Sequence, residues 1–185
     1  FIYEATFIST GRVVKVDVLE VLDLGEKRVR IVEVKASNSV KNEHIPDIAF
    51  QRAVLLDLGF TVESCSIMHL NRDCLDPDSR ELLMEVDVTD RALAAEDMVR
   101  SHYPGFLDLW DKKQTPDISI GGHCSKPYEC PFKDHCWADV PKNSVFSIPY
   151  INNDTAPALY QGGVRSAADA DGHAQLSHNQ RSYVK

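Results

Sequence analysis

The first 36 residues constrain this chain more than any later stretch. Three β-rich segments follow one another with short breaks: 2–8 (IYEATFI), 12–22 (RVVKVDVLEVL) and 29–36 (VRIVEVKA). Val and Ile alternate with polar residues in the second and third, the period-two pattern of half-buried strands. Ser9-Thr10-Gly11 and Asp23-Leu24-Gly25-Glu26-Lys27 supply turn chemistry between them. These features predict a three-stranded antiparallel meander. A loop, SNSVKNEHIP, precedes a helix over 47–58, with Pro46 in its first turn and Gly59 as its C-terminal cap. Residues 61–70 (TVESCSIMHL) return as a strand, and a strand–helix–strand crossover is usually parallel and right-handed.

Side-chain alternation then places specific charges together. In VRIVEVK, Val29, Ile31, Glu33 and Lys35 share one face. A hairpin symmetric about Gly25 sets Asp17 opposite Glu33 and Lys15 opposite Lys35, with facing Cβ atoms ~4.5–5.5 Å apart. Two facing carboxylates repel, and a divalent cation between them removes the penalty. Mg²⁺ favours one or two carboxylates, several waters and substrate phosphate oxygens. Lys35 is placed to orient a water, or to take its proton if burial and the metal lower its pKa. Carboxylates, metal and lysine together describe phosphodiester hydrolysis. The competing reading is a solvated hairpin face carrying a ladder of ion pairs. Gln51 adds weight to the first: it lies on the helical stripe of Ile48, Leu55 and Leu58, and a glutamine facing a sheet needs a partner.

The five cysteines are an odd set, which argues against a closed disulfide framework and for a reducing compartment. Cys124, Cys130 and Cys136 cluster in GGHCSKPYECPFKDHCW over 121–137, where Pro127 and Pro131 prevent a regular helix. Three thiolates need a fourth ligand. Iron–sulfur clusters take Cys₄, whereas structural zinc accepts Cys₃His, with His123 and His135 adjacent. Spacing does not choose between them. Cys65 and Cys74 are weaker candidates for the fourth ligand, and Cys65 reads as core.

A strand with Asp, a strand with E-x-K and a helix with Gln (VDVLE, VEVKAS, DIAFQRAVL) resemble the PD-(D/E)XK nuclease superfamily in its RecB-like branch, over about residues 3–71. The resemblance implies an α/β, restriction-endonuclease-like core: antiparallel β-meander, helix and parallel strand, with a helical and cysteine-rich C-terminal extension. Its first core helix would precede Phe1, and the chain is expected to be part of a longer protein. Asp17 and Glu33 would bind Mg²⁺ or Mn²⁺ with the Val34 carbonyl, Lys35 would be the catalytic lysine, and Gln51 would lie near the scissile phosphate. Leu55 stands where the family's Q-x-x-x-Y has Tyr. Members with an iron–sulfur staple carry three C-terminal cysteines, which implies a 4Fe–4S cluster on Cys124, Cys130 and Cys136, with zinc as the alternative. DIAFQ, MHLN, DVTD and CSKPYECPFKDHCW also resemble an uncharacterised bacterial family in which such a module precedes a second, nuclease-like domain.

The expected organisation is therefore a nuclease module over 1–141 and a weakly packed linker over 142–185, leading to a downstream domain. Within the module, Asp87–Asp90 caps a second helix to about His102, Pro104-Gly105 interrupts it, and FLDLW adds a short helical piece. LSHNQRSYVK reads as a helix start. The net charge of −8 falls in one place: residues 53–111 hold four basic and thirteen acidic residues, while 112–145 hold five and four. No broad basic footprint exists, so any polyanion contact is local. No apolar run reaches the ~18 residues of a membrane span, and the expected setting is cytoplasmic. The function expected is a metal-dependent deoxyribonuclease, an exonuclease on single-stranded or end-containing DNA by resemblance. The rivals are a non-catalytic DNA-binding module and a zinc-stabilised interaction module of a larger protein. His69, Asn71, Trp110, Trp137, Lys112, Lys113, Lys126 and Lys133 have local packing or solvation roles as their plainer reading.

Overall fold

β-Branched residues and tight turns produce the meander, in a computed structural model that describes residues 1–184. β1 (Ile2–Ser9), β2 (Arg12–Asp23) and β3 (Arg28–Lys35) pair antiparallel in sequence order. Gly11 closes the first turn at φ +78°, a backbone shape glycine adopts without strain. The second turn places Val18 opposite Val32, Leu19 opposite Ile31 and Val21 opposite Val29, the register expected from a hairpin centred on Gly25. Helix α1 (His44–Asp57) follows and leads to β4 (Thr61–Leu70), which lies parallel to β3. Gly59, at φ +78°, ends the helix with its N–H on the Leu56 carbonyl.

A fifth strand was not legible in the sequence. β5 (Leu83–Asp87) pairs antiparallel with β4, giving the order β1-β2-β3-β4-β5 in a mostly antiparallel sheet. Its LMEVD has no clean alternation and stays largely exposed at the sheet edge, so periodicity does not mark it. The chain is thus mixed α/β. Val14, Val16, Leu19, Val29, Ile31, Cys65 and Ile67 of the sheet form one buried cluster with Ile48, Ala49, Val54 and Leu55 of α1.

Helix α2 (Thr89–Lys112) runs straight through Pro104, where an interruption was expected. Proline removes one helical N–H and crowds the preceding turn. Tyr103 holds the helix in place just before that point. Its hydroxyl donates to the Thr10 carbonyl at 3.0 Å, and the Arg12 guanidinium lies 5.0 Å above its ring. Beyond Tyr103 the helix is solvated on all sides. Among the described residues, no helix is long and apolar enough to cross a membrane.

The chain divides into two compact units, Phe1–Gln114 and a second beginning at Thr115. The stretch expected to be a weakly packed linker carries a core of its own. Val145, Ile148, Ala156, Leu159, Tyr160, Ala170, Leu176 and Val184 are buried together. The helices of the second unit are short: α3 (Lys133–Cys136), α4 (Thr155–Gln161) and α5 (His178–Tyr183). Ser177 and Gln180 form a capping box that starts α5 in the segment read as a helix start. Apolar residues set singly among Gly, Pro, Asn and Asp give no period, which is why this packing escaped the sequence reading.

An ion network ties the first unit together. Glu96 of α2 accepts from Arg52 of α1 and from Arg100, and Asp57 accepts from Arg100 at 2.9 Å and from Arg12 of β2. Burial works against the charge of Asp57, but Arg100 and Arg12 overcome it and hold its carboxyl below the usual range. Glu96→Ala strips Arg52 and Arg100 of their shared partner. It is expected to cost about 2–3 kcal/mol, just under the range of a broken buried pair because both side chains keep some water. Urea denaturation of Glu96→Ala, and of Glu96→Ala with Arg52→Met, measures it; the double variant recovers part of the loss.

Candidate functional site

Of the two carboxylates picked out by the hairpin register, Asp17 reaches the β3 backbone next to Glu33. The Val34 N–H donates to Asp17 Oδ2 at 2.7 Å, and that amide is the one joining Val34 to Glu33. The local chain explains how. Buried positions in β2 run Val14 and Val16, then Leu19, so the inward alternation changes phase around Asp17 and Val18. Regular β2–β3 pairing ends at Val18–Val32, and the Asp17 carboxylate takes the next available β3 amide. One expected pair is therefore corrected: Lys15 does not face Lys35. It pairs with Thr6 of β1 and forms an ion pair with Glu4, because the β2–β3 ladder stops before reaching it.

Glu33 is only 7% exposed, yet both its oxygens are engaged. Gln51 Nε2 donates to Oε2 at 2.7 Å, and Lys35 Nζ donates to Oε1 at 2.7 Å. The partner required by a glutamine on the apolar stripe of α1 is thus Glu33. Gln51 Oε1 remains buried without a donor. Lys35 also donates to Asp47, one turn before Gln51 on the same helix. Asp47 was missed in the sequence, although its spacing from Gln51 puts it on the same face of α1. His44, buried at the start of α1, accepts the Lys41 N–H on Nδ1 at 3.2 Å. Burial, aided by the positive charge of Lys35, lowers its pKa and keeps the ring neutral.

The cluster sets its own protonation. Burial raises the Glu33 pKa more than the hydrogen bonds from Gln51 and Lys35 lower it. Burial opposes the charge of Lys35 too, but Asp47 and Glu33 outweigh it and its pKa is raised. Burial alone therefore does not lower the Lys35 pKa here, because two carboxylates outweigh it.

In the second unit, Cys124, Cys130 and Cys136 line one cavity of about 540 Å³ together with His123, His135 and Phe132. Backbone bonds hold the loop: the Cys130 N–H donates to the Cys124 carbonyl at 2.9 Å and the Cys136 N–H to the Phe132 carbonyl at 3.0 Å. His123 Nε2 lies 3.6 Å from Cys124 Sγ. All five cysteines are free thiols. Cys65 is core, its thiol pKa pushed up to about 12 by burial, and Cys74 Sγ donates to the Asp76 carbonyl. Among the described residues, no three His, Cys, Asp or Glu side chains converge closely enough to enclose a metal ion. Trp137 packs on Phe146, Trp110 is exposed on α2, and Lys133 pairs with Glu129. The chain matches no family model, no curated protein and no solved structure.

The raised Glu33 pKa fixes the sign of a pH effect. The folded chain holds this proton to a higher pH than the unfolded chain does, so the contribution to stability is largest below the ordinary glutamate value. It falls as pH rises through the interval between the two, and the full burial cost of the ionised group remains above it. Glu33→Gln removes that fall. In a chelator, the melting temperature of Glu33→Gln is expected to gain on wild type between pH 4 and pH 7; parallel profiles would contradict the burial assignment.

Proposed function

We propose that this chain is a metal-dependent nuclease module that hydrolyses phosphodiester bonds in single-stranded or end-containing DNA. One observation carries the reading: Lys35 and Gln51 both converge on the buried Glu33 carboxylate, while Asp17 of the neighbouring strand accepts from the backbone N–H that follows Glu33. The meander, helix and parallel strand around them support a restriction-endonuclease-like core of RecB-like type.

The donor set fits Mg²⁺ or Mn²⁺. Two carboxylates are the hard oxygen ligands such ions take, and Asp17 and Glu33 would hold the ion, with the Val34 carbonyl beside them. Gln51 Oε1, buried and lacking a donor, suits a water drawn into the site. When bound, the ion neutralises the carboxylates and polarises a phosphoryl oxygen. Lys35, held by Asp47 and Glu33, is placed as a donor that positions water or phosphate. Gln51 fixes the Glu33 carboxylate against α1, so the ligand is preoriented.

We extend the reading to the second unit. Three thiols on one cavity supply three ligands of a 4Fe–4S staple, and His123 and His135 on the same wall keep Cys₃His zinc as the rival. Protein purified without oxygen is expected to be brown, with absorption near ~400 nm that is lost in Cys130→Ser. A colourless, zinc-loaded preparation would decide for zinc.

The nuclease reading is tested on the full-length protein with end-labelled single-stranded DNA. Mn²⁺-dependent loss of label is expected, with Lys35→Ala lower by about 10²–10⁴-fold, the range of a single positioned catalytic group. Asp17→Ala should be equally inactive yet melt close to wild type, because the freed Val34 N–H is near solvent and one repelling carboxylate is gone. Equal activity in Lys35→Ala would overturn the assignment.

A further inference from the structure

Next to Lys35, on the face that carries Glu33, stands a histidine that the reading above does not use. His69 and Lys35 are register partners across the parallel β3–β4 pair. Partners in a parallel ladder point to the same side, ~4.8 Å apart along the hydrogen-bonding direction. Burial agrees, since Ile67 and Cys65, two and four residues earlier on β4, are in the same core as Ile31, and His69 is 6% exposed.

The tautomer of His69 follows from one contact. Its Nδ1 lies 2.9 Å from the Leu70 carbonyl oxygen, which can only accept. Nδ1 therefore carries a proton, so that Nε2 is the ring nitrogen left to present a lone pair when the ring holds one proton. No hydrogen bond occupies Nε2 among the described residues. Lys35 has the complementary vacancy: its ammonium has three N–H groups, and Glu33 and Asp47 take two. A free acceptor and a free donor thus sit on neighbouring register positions, beside the carboxylates.

We propose that His69 is a further catalytic residue of this site: with Lys35 it brackets the attacking water, which accepts from Lys35 Nζ and donates to His69 Nε2. The two contacts fix the remaining lone pair of the water toward phosphorus. As the new O–P bond forms, the water O–H bond breaks and its proton passes to Nε2. The P–O bond to the leaving oxygen breaks, and that oxygen takes a proton from solvent. This assignment rests on the nuclease reading and adds a general base to the site.

The test compares His69→Asn, His69→Ala and Lys35→Ala in the full-length protein with Mn²⁺ and labelled single-stranded DNA. The Asn amide keeps a donor for the Leu70 carbonyl and removes Nε2. His69→Asn is expected to melt near wild type, keep its KM and lose about 10²-fold or more in kcat. Free imidazole is expected to restore part of the kcat of His69→Ala and none of that of Lys35→Ala, a response that a purely structural role would not give. An active His69→Asn beside an inactive Lys35→Ala overturns this proposal and leaves the nuclease reading intact. A loss confined to KM also overturns it, placing His69 in substrate binding. Activity in Lys35→Ala equal to wild type removes the nuclease reading itself, and this proposal with it.

Discussion

A carboxylate buried between a sheet and a helix organises the first unit. Glu33 has lost most of its water, and its charge is tolerated only because α1 returns Gln51 and β3 supplies Lys35. Those two contacts fix more than one side chain. They set the rotation of α1 about its axis, since Gln51 must point at the sheet while Ile48 and Leu55 pack beside it. They also set the end of β3, where Lys35 reaches across to Asp47. A buried polar group is costly unless its partners are in place, so the position of the helix and the chemistry of the site are one problem.

The register of the meander was legible because two independent signals agree. The Val and Ile alternation and the Gly25 turn both point to Val18 opposite Val32, and that pairing is observed. Gln51 was legible for a similar reason: a lone amide on an apolar stripe demands an explanation. What alternation alone misses is a change of phase. Val16 and Leu19 are both buried in β2, and that slip is what frees Asp17 to meet the Val34 amide in place of a plain cross-strand contact. Asp47 and His69 were obscured because their roles come from tertiary neighbours. Nothing in DIAFQ marks Asp47 as the second anchor of Lys35, and nothing in MHLN places His69 beside that lysine until β3 and β4 are aligned in parallel.

The second unit illustrates a different limit. Eight buried apolar side chains from 145 to 184 make a small core around short helices, with the aromatic contacts Trp137–Phe146 and Phe146–Tyr160 joining the cysteine loop to it. None of these residues forms a periodic run. Their order comes from converging loops, a pattern that binary alternation does not encode. The three clustered cysteines stood out in the sequence because their chemistry is rare. The core that supports them did not, because its chemistry is common.

Charge supplies the link between site and proposed reaction. With Glu33 ionised, Asp17, Glu33 and Asp47 set three negative charges against the one positive charge of Lys35; Glu33 is buried, while Asp17 and Asp47 keep contact with water. A phosphate diester approaching such a cluster meets net repulsion, and the acid-rich stretch 53–111 adds to it at long range. The sequence holds no broad basic stretch to correct this. The residual charge of two is what a divalent cation cancels. On the nuclease reading, then, the ion is needed before any step of chemistry, to let the substrate arrive. On that reading the selectivity of the site would lie in its field: the four side chains that would repel a free polyanion would accept it with a cation in place.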